Sequence, residues 1–226
     1  MLSERPAWQG RQGSPDGRLT IHAVVRSRWT DRAMDTFDRR ADTPAFDMLA
    51  EREIAAIVTR ETVTDSTKSL RVHSRVVSSL LRRSAVVPMP HGLTAPDEAA
   101  VLAFLGKEST PLLEALEYLE DCFEVRLHVS EAGLGWNATA RREAGATIFA
   151  EARTRSRAAR LLEERAGNVL NAAFLIRRGE WIHFVESLSD WERRIGGLRV
   201  DVTGPWPAWD FVQLASSDSN KVEIET

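Results

Sequence analysis

The chain has 226 residues, of which 43% are hydrophobic and 28% charged, and its formal net charge at pH 7 is −3. This balance is typical of a globular protein with a substantial core, and so small a net charge gives no electrostatic reason to expect nucleic acid or a membrane surface as a partner. The single cysteine, Cys122, excludes an internal disulfide and indicates a reducing, cytoplasmic setting. No apolar run approaches the roughly 18 residues of a membrane-spanning helix. Residues 1–17 lack a signal peptide's apolar stretch and are expected to form a flexible arm.

The region 18–93 is predicted to form an N-terminal α+β domain. Its strands are short apolar runs, and its helix places Leu70, His73 and Val77 on one face at helical spacing. The predicted elements are a buried strand (18–25), an irregular or weakly helical segment (26–44), a hairpin around Glu51–Arg52 (46–60), an amphipathic helix (67–84) and a short strand (85–89).

Two helices are predicted in a bridge over residues 94–121. Thr94 with Asp97 has the spacing of a capping box, and Gly106 is expected to end that helix. Thr110 is expected to cap the second helix, with Pro111 in its first turn.

The region 122–204 is predicted to be a C-terminal ferredoxin-like domain. Its clearest strand is 122–130, in which apolar residues alternate with Glu124, Arg126 and His128. The other predicted elements are a loop (131–145), a long helix (146–167), two strands joined at Arg178–Gly179 (170–178 and 180–187), a helix capped by Ser189 and Glu192, and a last strand (198–203).

These elements define an α+β fold of two ferredoxin-like units bridged by helices, with an extended C-terminal arm and tail at 205–226. The order strand, helix, strand, strand, helix, strand from residue 122 is that of the split βαβ unit. The N-terminal region has the same order with its first helix degraded.

No catalytic, cofactor or metal site is predicted. The five histidines do not lie three or four residues apart, and the glycine runs do not match a phosphate-binding loop. His73, on an apolar helix face, is interpreted as a core or interface histidine, with a catalytic role as the alternative. Cys122 is interpreted as structural. The arginines at 153, 155, 157 and 160 are interpreted as a solvated helix face, with phosphate contact as the alternative.

The segment TGPWPAWDFVQL (203–214) contains two prolines and two tryptophans, so it cannot be helical and is too apolar to remain in solvent. Trp206 and Trp209 are expected to dock on the fold itself, as a buckle between the two units, or to be covered by a partner.

This segment also carries a resemblance. The stretch VDVTGPWPAWDFV (200–212) resembles the C-terminal signature of the gas vesicle protein F/L family, Gly-Pro-Trp-Pro-Pro-Tyr-x-Phe, with Ala208 and Trp209 in place of Pro and Tyr. Residues 168–178 and 72–92 are similar to two further segments of that family and occur in the right order. Pro90 and His91 depart from the usual Arg-Phe.

The resemblance implies an accessory protein of gas vesicle formation, with two α+β units, no enzymatic activity and no cofactor. Its expected location is the cytoplasm and the gas vesicle. The implied partners are the small hydrophobic shell protein and other gas vesicle accessory proteins, rather than nucleic acid or a membrane. Trp206, Trp209 and Phe211 are the predicted partner-binding residues, with a role in stabilising the fold as the alternative. The rival functional hypotheses are an enzyme with a cleft between the units and a nucleic-acid-binding module that uses the arginines.

Overall fold

The structure is a computed structural model that describes residues 18–29, 46–60, 66–82, 84–133, 135–163 and 167–212. The expected N-terminal arm, most of the segment predicted as irregular or weakly helical, and the tail after residue 212 lie outside these residues.

The N-terminal unit is built on an antiparallel sheet whose strand order is β2-β3-β1-β4, with β5 also paired to β1. The predicted hairpin turn is confirmed, because Arg52 adopts a left-handed conformation (φ 53°) between β2 and β3. The elements are β1 (Leu19–Arg26), β2 (Asp47–Glu51), β3 (Ile54–Thr59), α1 (Ser66–Leu81), β4 (Val87–Pro88) and β5 (Thr94–Ala95).

The bridge contains helices α2 (Glu98–Lys107) and α3 (Ser109–Tyr118), which only Glu108 separates. The predicted caps are wrong. Asp97, not Thr94, caps α2 by accepting a bond from the Ala100 N–H at 2.8 Å, since Thr94 belongs to β5. Glu108, not Thr110, occupies the N-cap position of α3.

The C-terminal unit has a second antiparallel sheet, in the order β7-β8-β6-β9. With helices between its first and second and its third and fourth strands, this is the ferredoxin-like topology, and the N-terminal sheet repeats its strand order. The predicted fold class is confirmed. The elements are β6 (Cys122–Glu131), α4 (Ala138–Thr154), β7 (Ala158–Leu161), β8 (Asn168–Arg177), α5 (Trp181–Ile195) and β9 (Leu198–Trp206).

The predicted bounds of the loop at 131–145 and of the helix at 146–167 were wrong, although a helix does cover residues 146–154. Helix α4 begins after Asn137, whose side chain accepts the Ala140 N–H at 2.8 Å. It ends at Thr154, and residues 158–161 form strand β7 instead of further helix. Pairing with β8 therefore overrides the high helix propensity of this alanine- and arginine-rich stretch. The arginines at 153–160 consequently do not share a helix face.

The predicted hairpin at Arg178–Gly179 was also wrong, because residues 181–195 form helix α5. Phe184, Leu188 and Trp191 are buried at helical spacing, whereas Ile182 is exposed. The eight-residue stretch that suggested a strand is too short to separate the two periods. Ser189 lies within this helix and does not cap it. The predicted stop at Gly196–Gly197 is confirmed, as both glycines have positive φ.

The two units share part of their core. Leu175 of β8 packs in the same cluster as Leu112 and Leu116 of α3 and Val24 of β1. The Arg178 guanidinium donates a hydrogen bond to the Leu81 carbonyl at the end of α1. The boundary between the two units, here called the seam, is therefore stabilised by the shared apolar cluster. It is also stabilised by Arg178 of the C-terminal unit, which caps the end of α1 in the N-terminal unit.

Gly145 is a position of close approach between α4 and β8. A Cβ built there would lie 2.4 Å from the Val169 carbonyl oxygen, which belongs to the backbone and cannot move aside like a flexible side chain. We expect Gly145→Ala to lower the free energy of unfolding by about 2 kcal/mol, because overpacking outweighs the roughly 1 kcal/mol that alanine gains in a helix. Urea denaturation checks this, with Gly106→Ala on α2, which has open space, as the control. Equal effects at both sites would contradict it.

Candidate functional site: the C-terminal strap

Strand β9 ends at the Gly-Pro-Trp segment, where Gly204 fits a conformation that other residues rarely adopt. Its φ is +135°, and a Cβ there would lie 3.0 Å from the Glu124 carbonyl oxygen of β6. The pairing with β6 is irregular at this point, so Trp206 lies opposite Glu124. The glycine of the signature is therefore needed for the close approach of the two backbones.

Trp206 is the last residue of this edge strand and remains 39% exposed. Its indole Nε1 donates to Thr203 Oγ1 at 3.1 Å, which fixes the orientation of the ring without burying it. A large apolar ring held in place on a surface is a feature of binding sites.

Residues 207–212, here called the strap, turn back from β9 across the seam between the units. Two turns shape it, with N–H to C=O bonds from Trp209 to Pro207 (2.7 Å) and from Phe211 to Ala208 (3.2 Å). Trp209 packs against the N-terminal core beside His73, with the ring centres 5.4 Å apart. Ala208 is buried, and Phe211 packs on the cluster that spans both units.

An acidic anchor fixes the strap to the C-terminal sheet. The Glu124 carboxylate is fully buried and accepts the Asp210 N–H at 2.8 Å and the Arg126 Nε–H at 2.7 Å. Arg126 also pairs with the Asp210 carboxylate at 2.9 Å. Arg160 of β7 donates to the Asp210 carbonyl at 3.0 Å. The polar face predicted for β6 is confirmed, but the strap covers it and makes Glu124 a core residue.

Burial raises the pKa of Glu124 to about 7, against the lowering effects of the Asp210 N–H bond and the Arg126 charge. The carboxyl therefore changes charge near neutral pH while it holds the strap. Such a group has a large effect on stability if its partners are removed.

A second anchor is a cluster of histidines in the N-terminal unit. His22 of β1 and His73 of α1 share a hydrogen bond between their Nδ1 atoms at 2.9 Å, and His22 Nε2 bonds Thr59 Oγ1 at 3.0 Å. His91 lies edge-on to His73 at 5.4 Å, and its Nε2 bonds Ser69 Oγ at 3.1 Å. The interpretation of His73 as a core histidine is confirmed, since it is 2% exposed.

Burial, reinforced by neighbouring imidazoles, lowers the pKa of His22 to about 3 and that of His73 to about 4. Both rings are therefore neutral near pH 7 and act as hydrogen-bonding parts of the core on which Trp209 rests. Burial likewise raises the pKa of the Cys122 thiol, which agrees with its interpretation as structural.

Charged side chains line two of the open concavities among the described residues. One of about 300 Å³ lies at the seam, among residues that include Arg26, Arg82, Glu120, Asp121 and Arg178. A larger one of about 620 Å³ lies between α4 and α5 and includes Glu151, Arg155, His183 and Arg194. There a hydrogen bond from Arg194 lowers the pKa of Glu151, the opposite of what a general acid requires.

In the described part of the chain, no three His, Cys, Asp or Glu side chains are arranged to hold a metal ion. Within the same residues, no helix combines the length and apolarity needed to cross a membrane.

The three residues predicted to bind a partner differ in burial, with Trp209 and Phe211 partly buried and Trp206 exposed. Trp209 and Phe211 pack within the molecule, and Trp206 keeps an exposed ring. The residues that hold the strap, Glu124 and Asp210 above all, were missed as a site. The available signal was a carboxylate on the polar face of an alternating strand, with an arginine two residues later on the same face.

The fold and the strap define a protein of two ferredoxin-like units closed over their seam by the C-terminal segment. The chain belongs to the gas vesicle synthesis protein GvpL/GvpF family, whose model matches residues 41–139 and 135–213. The resemblance seen in the sequence is thereby confirmed, and with it a role related to gas vesicles.

Individual relatives agree with this assignment. Gas vesicle protein L of Streptomyces sp. (strain CB03234) is 38% identical over 56 residues, which are 25% of this chain and only 20% of that relative. The crystal structure of GvpF from Anabaena sp. PCC7120 matches with a TM-score of 0.72 at 12% identity, over 91% of this chain and 100% of that one. GvpF from Microcystis aeruginosa matches with a TM-score of 0.67 at 12% identity, over 87% and 99%. At this identity the two crystal structures establish the fold.

Proposed function

We propose that this chain is an accessory protein of gas vesicle formation that binds the small hydrophobic shell protein and assists its assembly, in the cytoplasm or as a minor component of the vesicle. Family membership carries the proposal. An apolar shell protein aggregates unless its apolar face is covered before assembly, so a binding partner has a clear physical role.

The exposed ring of Trp206 supports a contact at the end of β9. It is oriented by Thr203 and lies where an edge strand of the sheet ends. Trp209 and Phe211 are assigned to the strap instead, since their rings already pack on the core of the molecule. The partner site is therefore proposed at Trp206, with the strap holding that end of β9 in place.

Co-expression with the shell protein from the same gene cluster tests the proposal. A tagged wild-type chain is expected to bring the shell protein down in soluble form. Trp206→Ala is expected to lose most of this capture, while its free energy of unfolding stays within about 0.5 kcal/mol of the wild type, as for other surface changes. Trp209→Ala is expected to lower that free energy by about 2 kcal/mol, less than the roughly 3–5 kcal/mol of a fully buried tryptophan.

Ile182→Ala is the matched control, because Ile182 is an exposed apolar residue (65%) elsewhere on the same unit. Its capture is expected to equal that of the wild type. If the wild type captures no shell protein, the proposed function is wrong. Equal losses in Ile182→Ala and Trp206→Ala would indicate non-specific apolar contact in place of a site.

The enzyme hypothesis gains no comparable support. Among the described residues, the groups with the most displaced pKa values are Glu124, His22 and His73, and none of them lines either concavity. All three side chains are buried under the strap or in the core, whereas a catalytic group needs access to a substrate.

A further inference from the structure

Strand β7 is one of the two edges of the C-terminal sheet, and its outer backbone groups are unpaired in the part of the chain described. Its register with β8 pairs Arg160 with Ala173 and Leu161 with Ala172, and the Leu162 N–H bonds the Asn171 carbonyl at 2.9 Å. Residues alternate in an antiparallel pair, so the backbone N–H and C=O groups of Ala159 and Leu161 point away from β8.

The two faces of this edge differ in chemistry. Leu161, 60% exposed, lies on the face that carries the helices, since Ala159 on the same side packs on the C-terminal core. The opposite face is basic. The Arg157 guanidinium lies 4.6 Å from the Tyr118 ring centre, and Arg160 is held by the Asp210 carbonyl.

The edge also has a small excess of positive charge. Residues 156–163 contain two exposed arginines, Arg157 and Arg160, and one glutamate, Glu163. Charges on edge strands commonly protect a protein against aggregation. An exposed leucine directly on the unpaired backbone weakens such protection and provides an apolar contact.

We propose that the β7 edge accepts, as an added strand, an extended segment of a gas vesicle partner protein in which apolar and acidic side chains alternate. Successive side chains of a strand point to opposite faces, so the apolar residues lie beside Leu161 and the acidic ones beside Arg160 and Arg157. The inference rests on the proposed function for the identity of the partner, but the chemistry of the segment follows from the two faces of the edge.

A peptide experiment on the full chain tests the edge directly. The probes are fluorescein-labelled peptides TVEVEVT and TVKVKVT, with binding followed by fluorescence anisotropy. The acidic peptide is expected to bind about tenfold more tightly than the lysine peptide, with a preference that falls as salt is raised to about 0.5 M. Equal binding of the two peptides, or none, would overturn the proposal.

Two further probes separate backbone pairing from charge. Leu161→Pro removes an outward N–H and is expected to weaken binding of the acidic peptide about tenfold, whereas Leu161→Val keeps that N–H and should change it less than about threefold. A TVEVEVT peptide methylated at every valine and glutamate nitrogen cannot pair and should not bind to the wild type. Binding of the methylated peptide at full strength would exclude an added strand, whatever the stability of the proline variant.

Competing occupants give different results. Residues 221–225 of this chain, KVEIE, also alternate apolar and charged side chains. Peptide binding that occurs only after removal of residues 213–226 would assign the edge to the chain's own tail. A wild-type dimer that becomes monomeric in Leu161→Pro would assign the edge to a second copy. Either result would overturn the proposal.

Shell-protein capture links the edge to the proposed function while keeping the two failures distinct. Loss of capture in Leu161→Pro but not in Leu161→Val supports the edge as the partner contact. If both variants capture as the wild type does, the edge inference fails and the proposed function stands. If the wild type captures nothing, the proposed function fails, and the peptide titration still decides whether the edge binds acidic strands.

Discussion

Replacing Arg126 of β6 with alanine is expected to lower the free energy of unfolding by about 3 kcal/mol at pH 8.5, one of the largest effects of any single change at the anchors of the strap. The substitution leaves the fully buried Glu124 carboxylate without its cation and removes the partner of Asp210. Glu124 then takes up a proton more readily, so the loss should shrink at pH 6. Urea denaturation at the two pH values measures the loss of stability and its dependence on pH.

The double variant Glu124→Gln with Arg126→Met is the control for packing. It removes both charges while keeping side chains of similar size, and is expected to recover most of the stability at pH 8.5, because a neutral pair has no charge to desolvate. The amide oxygen of the introduced glutamine can still accept the Asp210 N–H. A loss in Arg126→Ala that is the same at pH 8.5 and pH 6 would show that packing by the arginine stem, and not the charge of Glu124, is what matters.

The central strands of both sheets could be predicted from local patterns, whereas β5, β7, the bounds of α4, helix α5 and the surface under the strap could not. The alternation along β6 and the apolar run of β3 each predict a strand, with bounds that are correct to within a few residues. Helix α4 begins in a stretch with a weak apolar period, where Gly145 is required by the contact with Val169. Its end is set by the pairing of β7 with β8, which no local pattern encodes.

The strap depends on contacts between residues far apart in the chain. Glu124 and Asp210 are 86 residues apart, and His22 and His73 are 51 apart. The prolines and tryptophans predicted that the segment would dock, because an apolar chain without helical structure must be covered. They did not specify the surface, since the buried carboxylate and the neutral histidines are recognisable only after the two units are placed together.

Stability is expected to fall as the pH decreases from 6.5 to 4.5, with opposing contributions from the two anchors. His22 and His73 have native pKa values of about 3 and about 4, below their ordinary 6.5, so the unfolded chain takes up two protons that the native protein does not. Glu124 has the opposite effect. With a native pKa of about 7 against an ordinary 4.5, it binds one proton in the native state at a higher pH than in the unfolded chain. The unfolded state gains one proton net, so these groups lower stability by about 1.4 kcal/mol per pH unit.

Single substitutions at each anchor should change this slope in opposite directions. His73→Gln removes one of the two histidine protons and should bring the contribution of these groups close to zero between pH 6.5 and 4.5. Glu124→Gln removes the opposing proton and should raise the loss of stability from these groups to about 2.7 kcal/mol for each pH unit of decrease. Denaturation midpoints are measured across this range and expressed relative to the wild type. The pH-dependent contributions of the carboxylates that all three proteins share then cancel. Parallel curves for all three proteins would mean that neither anchor titrates with folding, and the strap would then be held by packing alone.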